Sequence, residues 1–398
     1  MISVEEARGR ILAGLQPVAA EMVGLAQSHG RVLAKPVLAR LCVPPADISA
    51  MDGYAVRAAD ARPGERLRLI GEAPAGHPFT GRVGAGETVR IFTGSVIPAG
   101  ADTVLIQENA TAEAGAVLVN EPVAAGRHIR RAGQDFAAGA QVLPAGKRLS
   151  VRDIGVAGAA GHPWLCVYRK PRLAILCTGD EIALPGEPVP DGGIANSNAA
   201  MLAAFVSAHG GEPLILPIAR DTEDAVAEAA LAARGADLLV TTGGASVGAH
   251  DLVQAGLARH GFALDFWKIA MRPGKPLIFG QVNGLPVLGL PGNPVSAYVC
   301  ATLFLAGAIA VLGGLEPQAP LLETARLGVA MKPNDAREDY VRAQLTQDKA
   351  GWVVTPLPVQ DSGMLRALAS AGALIRRLPF APAAEAGEAI EIVRLAVA

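Results

Sequence analysis

The chain has 398 residues, enough for several domains, and 51% of them are apolar, which permits large buried cores and excludes wholesale disorder. The formal net charge is only −2, no long basic run occurs, and aromatic residues make up 4% of the chain. A nucleic-acid-binding protein is therefore not expected, because such proteins bind through phosphate neutralisation and base stacking.

The N-terminal part of the chain consists of short apolar runs separated by glycine and proline. Its first residues carry charges where a secretory signal needs an apolar core, which predicts a cytoplasmic protein with no membrane anchor. Residues 46–135 contain strand-like runs such as Thr88–Phe92 and Thr103–Gln107, which predict a strand-rich domain. The flanking segments, 1–45 and 136–170, are predicted to form the two parts of a connecting domain.

From residue 171 to 314, strand and helix patterns alternate. This alternation predicts a three-layer α/β domain with a mostly parallel sheet and helices on both faces. The predicted strands are Leu173–Cys177, Leu214–Ile218, Leu238–Thr242, Leu277–Phe279 and Val287–Leu290. The predicted helices are Ala199–His209 and a segment that Asp221 caps and that runs to Arg234.

The segment Val295–Leu312 is almost wholly apolar. Its length fits either a short membrane span or a helix buried inside the α/β domain, and burial is favoured because no second span accompanies it. After it, residues 315–398 alternate again between apolar and polar side chains, as in Glu388–Leu395. They predict a small C-terminal β-barrel or sandwich, of which the barrel is preferred.

Three glycine-containing loops follow predicted strands, at the sheet edge where α/β domains bind ligands. The middle loop lacks the lysine of a P-loop and does not match GxGxxG, yet its glycines allow backbone N–H groups to approach a phosphate. Asn293 is predicted to cap the next helix and Pro294 to fill its first turn. Each loop alone fits a tight turn equally well, but together they predict an anion site. The loops are Thr178–Glu181, Thr241–Gly248 and Pro291–Pro294.

Charged residues lie close to these loops in the sequence. Lys268, Arg272 and Lys275 predict an oxyanion clamp, although each residue alone fits a solvated edge. Carboxylates would repel a bound anion unless they have a role in binding or chemistry. They are therefore interpreted as Mg²⁺ ligands or as proton donors and acceptors. For Asp221 the role of a helix cap is an alternative explanation. The carboxylates are Asp52, Glu181, Asp221 and Asp251.

The cysteines predict no metal or disulfide chemistry. They are far apart and form no CxxC or Cys/His spacing, so neither a disulfide framework nor a structural zinc site is expected. Cys177 ends a predicted strand beside a loop, and a buried thiol is favoured there over a nucleophile. The four are Cys42, Cys166, Cys177 and Cys300.

Six segments, in this order along the chain, resemble the MoeA family of molybdopterin molybdenumtransferases, whose eukaryotic relative is the gephyrin E domain. The resemblance covers essentially the whole chain. The segments are Ser49–Ala55, Phe92–Asp102, Thr178–Glu181, Thr242–Gly248, Arg272–Pro276 and Gly289–Ser296.

This resemblance implies a four-domain protein that acts as a homodimer, with the active cleft between the subunits. It implies that the enzyme takes adenylylated molybdopterin and molybdate, uses Mg²⁺, releases AMP and leaves molybdenum on the pterin dithiolene. A molybdopterin adenylyltransferase is the implied upstream partner. The thiolates come from the pterin, which suits a chain without a cysteine cluster.

The resemblance also assigns residues to roles. It implies catalytic roles for Asp52, Glu181 and Asp221, with Glu181 and Asp221 also holding the metal. Some members have lysine where Arg272 stands, and the arginine of this chain keeps the positive charge but lacks the compact ammonium group of lysine. The implied substrate- or cofactor-binding residues are Thr93, Asp135, Thr178, Gly243, Gly244, Ser246, Asp251, Lys268, Arg272, Lys275, Pro291, Gly292, Asn293, Pro294, Arg342 and Ser362, with Arg337 as a further candidate.

Two other functions stay open at the level of sequence. One is a non-catalytic scaffold or binding protein of the same fold, which the presence of Asp52 and Glu181 disfavours. The other is a nucleotide pyrophosphatase of the competence-damage type, which shares only the α/β domain. Those proteins lack the Ala50–Tyr54 region, so its presence here favours the transferase.

Overall fold

The computed structural model describes residues 1–243 and 249–395, apart from the side chains of residues 249–251. The chain divides into two compact units. Unit 1 comprises Met1–Glu21, Gly30–Ala34 and Val167–Ala398, and unit 2 comprises Met22–His29 and Lys35–Cys166. Two of the four boundaries fall inside strands, Ala20–Gly24 and Trp164–Tyr168. The predicted division into five segments stays a prediction.

Unit 1 contains a six-stranded sheet. Its strands are β1 (Arg172–Cys177), β2 (Glu212–Ile215), β3 (Leu238–Thr242), β4 (Ala263–Trp267), β5 (Ile278–Val282) and β6 (Leu285–Leu290). Their spatial order is β2-β1-β3-β6-β5-β4. The first four strands in this order are parallel, whereas β5 and β4 each run antiparallel to their neighbour. The mostly parallel sheet is therefore confirmed.

The sequence located most of these strands, but it missed one and misplaced another. The antiparallel edge strand β4 was not predicted, because four of its five residues are partly or fully exposed and it carries Asp265. Strand β2 begins two residues earlier than expected and ends before Pro217. An edge strand tolerates Pro213 because the proline lacks only a ladder donor.

Helices cover the sheet on both faces. The helix predicted to start at Asp221 begins one residue later: Thr222 is its N-cap, and the Thr222 side chain accepts a bond from the Ala225 N–H. The Asp221 prediction was therefore wrong, and its carboxylate has no capping role. The helices are α1 (Ser197–Ala208), α2 (Glu223–Ala232) and α3 (Ala249–Ala258).

The apolar segment after β6 forms one continuous helix, α4, that contains a π-helical turn at Ala301–Leu305 between Pro294–Cys300 and Ala306–Leu312. It is long and apolar enough to cross a membrane, yet 72% of it is buried inside the protein. Its residues join the largest hydrophobic core cluster together with strands β1, β3 and β6. Packing against the sheet therefore accounts for its composition without a membrane.

The N-terminal helix, Val4–Ala13, packs into the same core. The Ser3 hydroxyl accepts a bond from the Glu6 N–H and caps its start. Its buried residues, Val4, Ala7, Ile11 and Leu12, recur at spacings of three and four, which is the apolar stripe of a helix with one buried face. This helix belongs to unit 1, although the sequence placed it in the connecting domain.

The C-terminal part of unit 1 is a closed five-stranded barrel, as predicted. Glu338–Asp348 pairs with both Gly351–Pro356 and Ala373–Arg377, which closes the ring. A short strand, Met271–Arg272, adds to the outside of Glu338–Asp348, and a helix forms at Leu365–Ala369. The other barrel strands are Leu322–Leu327 and Ala389–Arg394.

Unit 2 is rich in strands, as expected. Its main sheet is antiparallel except where Arg66–Ala73 pairs with Glu87–Ile91. Short strand pairs and a helix, Val151–Ala159, complete the unit. The main sheet contains, in spatial order, Thr103–Ile106, Gly53–Val56, Glu87–Ile91, Arg66–Ala73, Ala116–Val119 and Ala110–Glu113. The short pairs are Ile48–Ser49 with Ile129–Arg130, and Val37–Leu38 with Gln141–Leu143.

Candidate functional site

A cavity of about 790 Å³ lies in unit 1 at the carboxyl ends of strands β1, β3 and β6. It forms there because parallel strands place all of their following loops at one edge of the sheet. Several of the residues that the sequence singled out come together in it. These are Thr178, Glu181, Asp221, Gly243, Pro291, Gly292, Asn293 and Pro294.

Glycines allow the loops to approach one another closely. Gly243 has φ 103°, and a Cβ atom on it would lie 2.3 Å from the Thr178 carbonyl oxygen. A Cβ on Gly292 would lie 3.2 Å from the Gly243 Cα. The tight contact between the three loop backbones therefore depends on the missing side chains at these positions.

Asn198, in the first turn of α1, connects two of these loops and was missed from the sequence. Its amide nitrogen donates to the Thr242 hydroxyl at 2.9 Å and to the Gly292 carbonyl oxygen at 2.7 Å. Thr242 in turn donates to the Pro291 carbonyl oxygen at 3.0 Å. The Asn196-Ser197-Asn198 segment, directly before a predicted helix, was the sequence signal that could have revealed it.

Two oxygens of the cavity-lining residues are buried and have no hydrogen-bond partner in the described parts of the chain. They are Thr178 Oγ1 and Asn198 Oδ1, and Thr178 is only 1% exposed. An unsatisfied buried polar atom costs about 1–3 kcal/mol, so native proteins rarely keep one without a purpose. Both oxygens are covered by protein atoms, so a molecule in the cavity does not reach them.

The charge of the cavity differs from the sequence expectation. Among the described residues that line it, none is lysine or arginine, whereas Glu181 and Asp221 contribute carboxylates. The favourable features for an anion are instead the N-termini of α1 and α4, which start at Ser197 and Pro294 on the cavity wall. An oxyanion with several charges needs a further cation beside it.

The two carboxylates are available to hold such a cation. The Glu181 carboxylate lies against Gly179, where a Cβ atom would be 2.5 Å from Glu181 Oε2. The side chains described here form no group of three or more His, Cys, Asp or Glu placed for a metal ion. Mg²⁺, however, often binds through one or two carboxylates and the phosphates of a substrate. The donor set fits an Mg²⁺ that arrives with a phosphorylated ligand.

The three predicted cations lie on the segment between β4 and β5 and do not line the cavity, although Pro276 does. The Arg272 guanidinium donates to Asp339 and, at 3.2 Å, to Asp335. Lys268 has φ 72°, and its Nζ lies 3.4 Å from the centre of the Trp267 ring. Lys275 is exposed. An anion that reached Arg272 would have to compete with two aspartates.

The predicted binding residues in the C-terminal part of the chain, Ser362, Arg342 and Arg337, differ from one another in their contacts. Ser362 accepts a bond from the Asn293 side chain at 2.9 Å, and the following Gly363 lines the cavity. Asn293 is thus at the N-cap position, but its side chain does not cap the helix. Arg342 is 1% exposed, burial lowers its pKa, and its Nη1 has no partner in the part of the chain that the structure describes. Arg337 lies beside Asp335, at 3.4 Å.

Three predicted binding residues cannot be placed. Gly244 and Ser246 lie outside the described residues, and the side chain of Asp251 is not described. Their predicted roles therefore stay predictions.

Unit 2 holds the remaining predicted residues. Asp52 Oδ1 accepts bonds from the Thr93 N–H at 2.7 Å and from the Thr93 hydroxyl at 2.8 Å. These bonds, with a smaller contribution from Arg90, lower the pKa of Asp52. Asp52 is therefore an anion near neutral pH, which suits a base or a cation ligand. Asp135 is exposed, and its backbone N–H donates to the Val43 carbonyl oxygen.

We predict that replacing Thr93 by valine raises the pKa of Asp52 towards its ordinary value, because both bonds from Thr93 favour the charged form and the hydroxyl bond is lost. A lowered pKa stabilises the folded state above the unfolded-state pKa, and this stabilisation disappears as the pH falls through the folded-state value. NMR titration of the carboxyl carbon measures the change. Thr111→Val, on another strand of the same sheet, is the control. An unchanged Asp52 titration would contradict the prediction.

Cys177 lines the cavity but does not act as a nucleophile in this state. It is 2% exposed, and burial raises the pKa of its thiol. A thiol that stays protonated is a poor nucleophile. The prediction of a buried thiol is confirmed.

Family models match three stretches of the chain. Residues 2–161 match the MoeA N-terminal region (domains I and II), residues 174–311 a probable molybdopterin-binding domain, and residues 324–395 the MoeA C-terminal region (domain IV). The fold and the cavity thus belong to a multidomain protein whose α/β domain is of the molybdopterin-binding class.

Relatives agree with these matches over most of the chain. A molybdopterin molybdenumtransferase from Nostoc sp. is 37% identical over 82% of this chain and 77% of the relative. Molybdopterin molybdenumtransferase 2 from Mycobacterium tuberculosis is 34% identical over 94% of this chain and 95% of the relative. The crystal structure of a molybdopterin biosynthesis MoeA protein from Pyrococcus horikoshii OT3 covers 99% of this chain and 100% of its own, with 27% identity and a TM-score of 0.85. The chain belongs to the MoeA family.

Proposed function

We propose that this protein is a molybdopterin molybdenumtransferase that inserts molybdenum from molybdate into adenylylated molybdopterin and releases AMP. Family membership supports the substrate class, because relatives that cover most of the chain bear this name. The observation that carries the proposal for this chain is the cavity at the ends of β1, β3 and β6, with two carboxylates at its wall and two helix N-termini aimed at it.

The chemistry explains why an acidic cavity suits this reaction. Oxo groups leave molybdate as water, which requires protons, and carboxyl groups can deliver them. The departing AMP carries developing negative charge, which helix N-termini and neighbouring cations stabilise. Glu181 is proposed to move protons, while Asp221 has no role in capping α2 and is free to serve the site.

Mg²⁺ dependence is part of the proposal, with Glu181 and Asp221 as the residues that would hold the ion. Bound there, Mg²⁺ would neutralise charge on the phosphoanhydride. The chain's own residues then position the substrate: Gly243 and Gly292 allow close approach of the loop backbones, and Asn198 keeps those loops together.

We propose a cytoplasmic homodimer with its active cleft between subunits, supplied by a molybdopterin adenylyltransferase. Substrate delivery by such an enzyme follows from the chemistry, since a phosphoanhydride must be formed before it can be broken.

The deciding experiment is to incubate the purified protein with adenylylated molybdopterin, molybdate and Mg²⁺ and to measure AMP. Stoichiometric AMP release that requires molybdate is the expected result. Pterin binding without AMP release would instead support the scaffold function.

Lys275→Ala is expected to weaken molybdate binding about tenfold, because it removes the ammonium group that we propose binds the oxyanion. Lys275 is exposed and directly precedes Pro276, which lines the cavity. Isothermal titration with molybdate measures the effect. Lys349→Ala, which removes an equally exposed lysine from the barrel, is the control and should bind like the unmodified protein. Equal affinity of the two variants would make Lys275 part of a solvated surface.

A further inference from the structure

The loop that carries Arg272 is tied both to the α/β domain and to the barrel. At its base, the Ile269 N–H donates to the Lys275 carbonyl oxygen at 3.0 Å, which closes the loop between β4 and β5. On the barrel side, the short strand Met271–Arg272 pairs with Glu338–Asp348. The backbone of Arg272 therefore has a defined position, and the direction of its guanidinium depends on the side chains that the barrel places beside it.

Two aspartates of the barrel contact the Arg272 guanidinium, and they differ in burial. Asp339 is 8% exposed and accepts a bond from Nη2 of Arg272. Asp335 has half of its side chain exposed and accepts a bond from Nη1 at 3.2 Å. Water and salt screen an exposed ion pair, whereas a charge-assisted bond to a buried carboxylate holds its geometry. Asp339 is therefore the firm partner of Arg272 and Asp335 the weaker one.

Asp335 does not depend on Arg272 for its partners. Its Oδ1 accepts a bond from the Arg337 N–H at 2.9 Å, and its Oδ2 lies 3.4 Å from Nη2 of Arg337. The bond from the Arg337 N–H lowers the pKa of Asp335. The Asp335 carbonyl oxygen also accepts a bond from the Phe380 N–H at 2.7 Å, which holds the backbone. Asp335 would remain charged and paired if it lost the bond to Arg272.

The Arg272 guanidinium can bind a further anion. A guanidinium has five N–H donors, and Arg272 bonds to one aspartate through Nη1 and to the other through Nη2. Its side chain is 47% exposed. An oxyanion with two negative charges can form paired bonds to the planar fork and so outcompete the single exposed carboxylate of Asp335. It would not displace Asp339, because that buried carboxylate would lose its cation.

We propose that Asp339 is the positioning residue of Arg272 and that Asp335 occupies the guanidinium until an oxyanion replaces it. The inference rests on the proposed function, in which Arg272 binds molybdate or the phosphate of the nucleotide. Asp339 orients the guanidinium in the free and in the bound state. Asp335 sets the apparent affinity, because an anion binds only if it outcompetes this carboxylate.

Asparagine substitutions at the two positions should have opposite effects. Asp335→Asn removes the competitor and should tighten oxyanion binding about threefold, the size of an exposed ion pair. Asp339→Asn removes the orienting carboxylate and should weaken binding about tenfold. Each change removes one negative charge, so a general electrostatic effect would tighten binding in both variants. The probes are sodium molybdate and AMP, titrated separately by calorimetry, and the probe whose affinity changes identifies the oxyanion.

Asp348→Asn is the matched control, because Asp348 forms an ion pair with Arg326, another arginine of the barrel. It should leave both affinities unchanged. A second control uses Arg272→Gln protein. There, neither Asp335→Asn nor Asp339→Asn should change the affinity further, whereas an effect on the barrel structure alone would persist. Thermal unfolding checks that Asp339→Asn is folded, and Asp335→Asn tests the exchange independently because that side chain is exposed.

The proposal is overturned if the two substitutions shift the affinities in the same direction or not at all. It is also overturned if their effects persist without the arginine, or if the unmodified protein binds neither molybdate nor AMP. AMP release by the unmodified protein, measured with the full substrate, distinguishes this failure from failure of the proposed function.

Discussion

Replacing Glu181 by glutamine is expected to lower the rate of AMP release by roughly 10²–10⁴-fold, the usual contribution of a general acid or base. Glutamine keeps the size of the side chain but can neither move a proton nor hold Mg²⁺ with a full charge. Glu181 lines the cavity, and no backbone N–H of the described loop residues donates to its carboxylate, so those loop residues should keep their arrangement. Affinity for AMP without metal should therefore stay within about threefold of the unmodified protein.

Glu187→Gln is the matched control, since Glu187 lies in the segment that follows Glu181, is exposed and does not line the cavity. Single-turnover measurement of AMP release, with Mg²⁺ varied, compares the two. If both variants turn over at the unmodified rate, Glu181 has no part in the chemistry. If the rate of Glu181→Gln recovers at high Mg²⁺, the residue acts mainly as a metal ligand.

Replacing Gly243 by alanine is expected to destabilise unit 1 by about 3 kcal/mol and to abolish ligand binding in the cavity. The new Cβ would lie 2.3 Å from the Thr178 carbonyl oxygen, and the residue would have to keep φ 103°. The loops must separate to relieve the contact. Separation also breaks the bridge from Asn198 to Thr242 and Gly292.

Gly235→Ala is the control for Gly243→Ala, because it measures the cost of the left-handed backbone conformation without a steric contact. Gly235 has φ 86°, but a Cβ there meets no atom within 4 Å, so only the left-handed conformation is penalised, at about 1 kcal/mol. Urea unfolding of both variants gives the difference, and titration with AMP gives the effect on the site. Equal destabilisation by the two substitutions would show that the loops are not closely packed at Gly243.

The sequence located the cavity because its signals are local. A strand of apolar residues followed by glycine is visible in the chain itself, and parallel pairing then brings such loops together whatever their separation. Strand β3 has its predicted bounds, and the three loops meet as expected. Asp221 was misread because Thr222 is also a good N-cap, and only the hydrogen bond to Ala225 distinguishes them.

The ion-pair partners of the predicted cations could not be predicted from local sequence signals. Arg272 has the correct charge for an oxyanion, yet Asp335 and Asp339 reach it from the barrel, more than sixty residues along the chain. No local pattern indicates that pairing, because it depends on the short strand Met271–Arg272 adding to Glu338–Asp348. The sequence therefore overestimated the positive charge of the cavity.

The sequence by itself determined the family, most of the strands in the α/β domain, the C-terminal barrel and the position of the loops. These features follow from periodicity and from residues with special backbone geometry, both of which are properties of neighbouring positions. Only the tertiary structure decided which side chains hold the loops together. Asn198 became a site residue because Thr242 and Gly292, both distant from it in the sequence, accept hydrogen bonds from its amide.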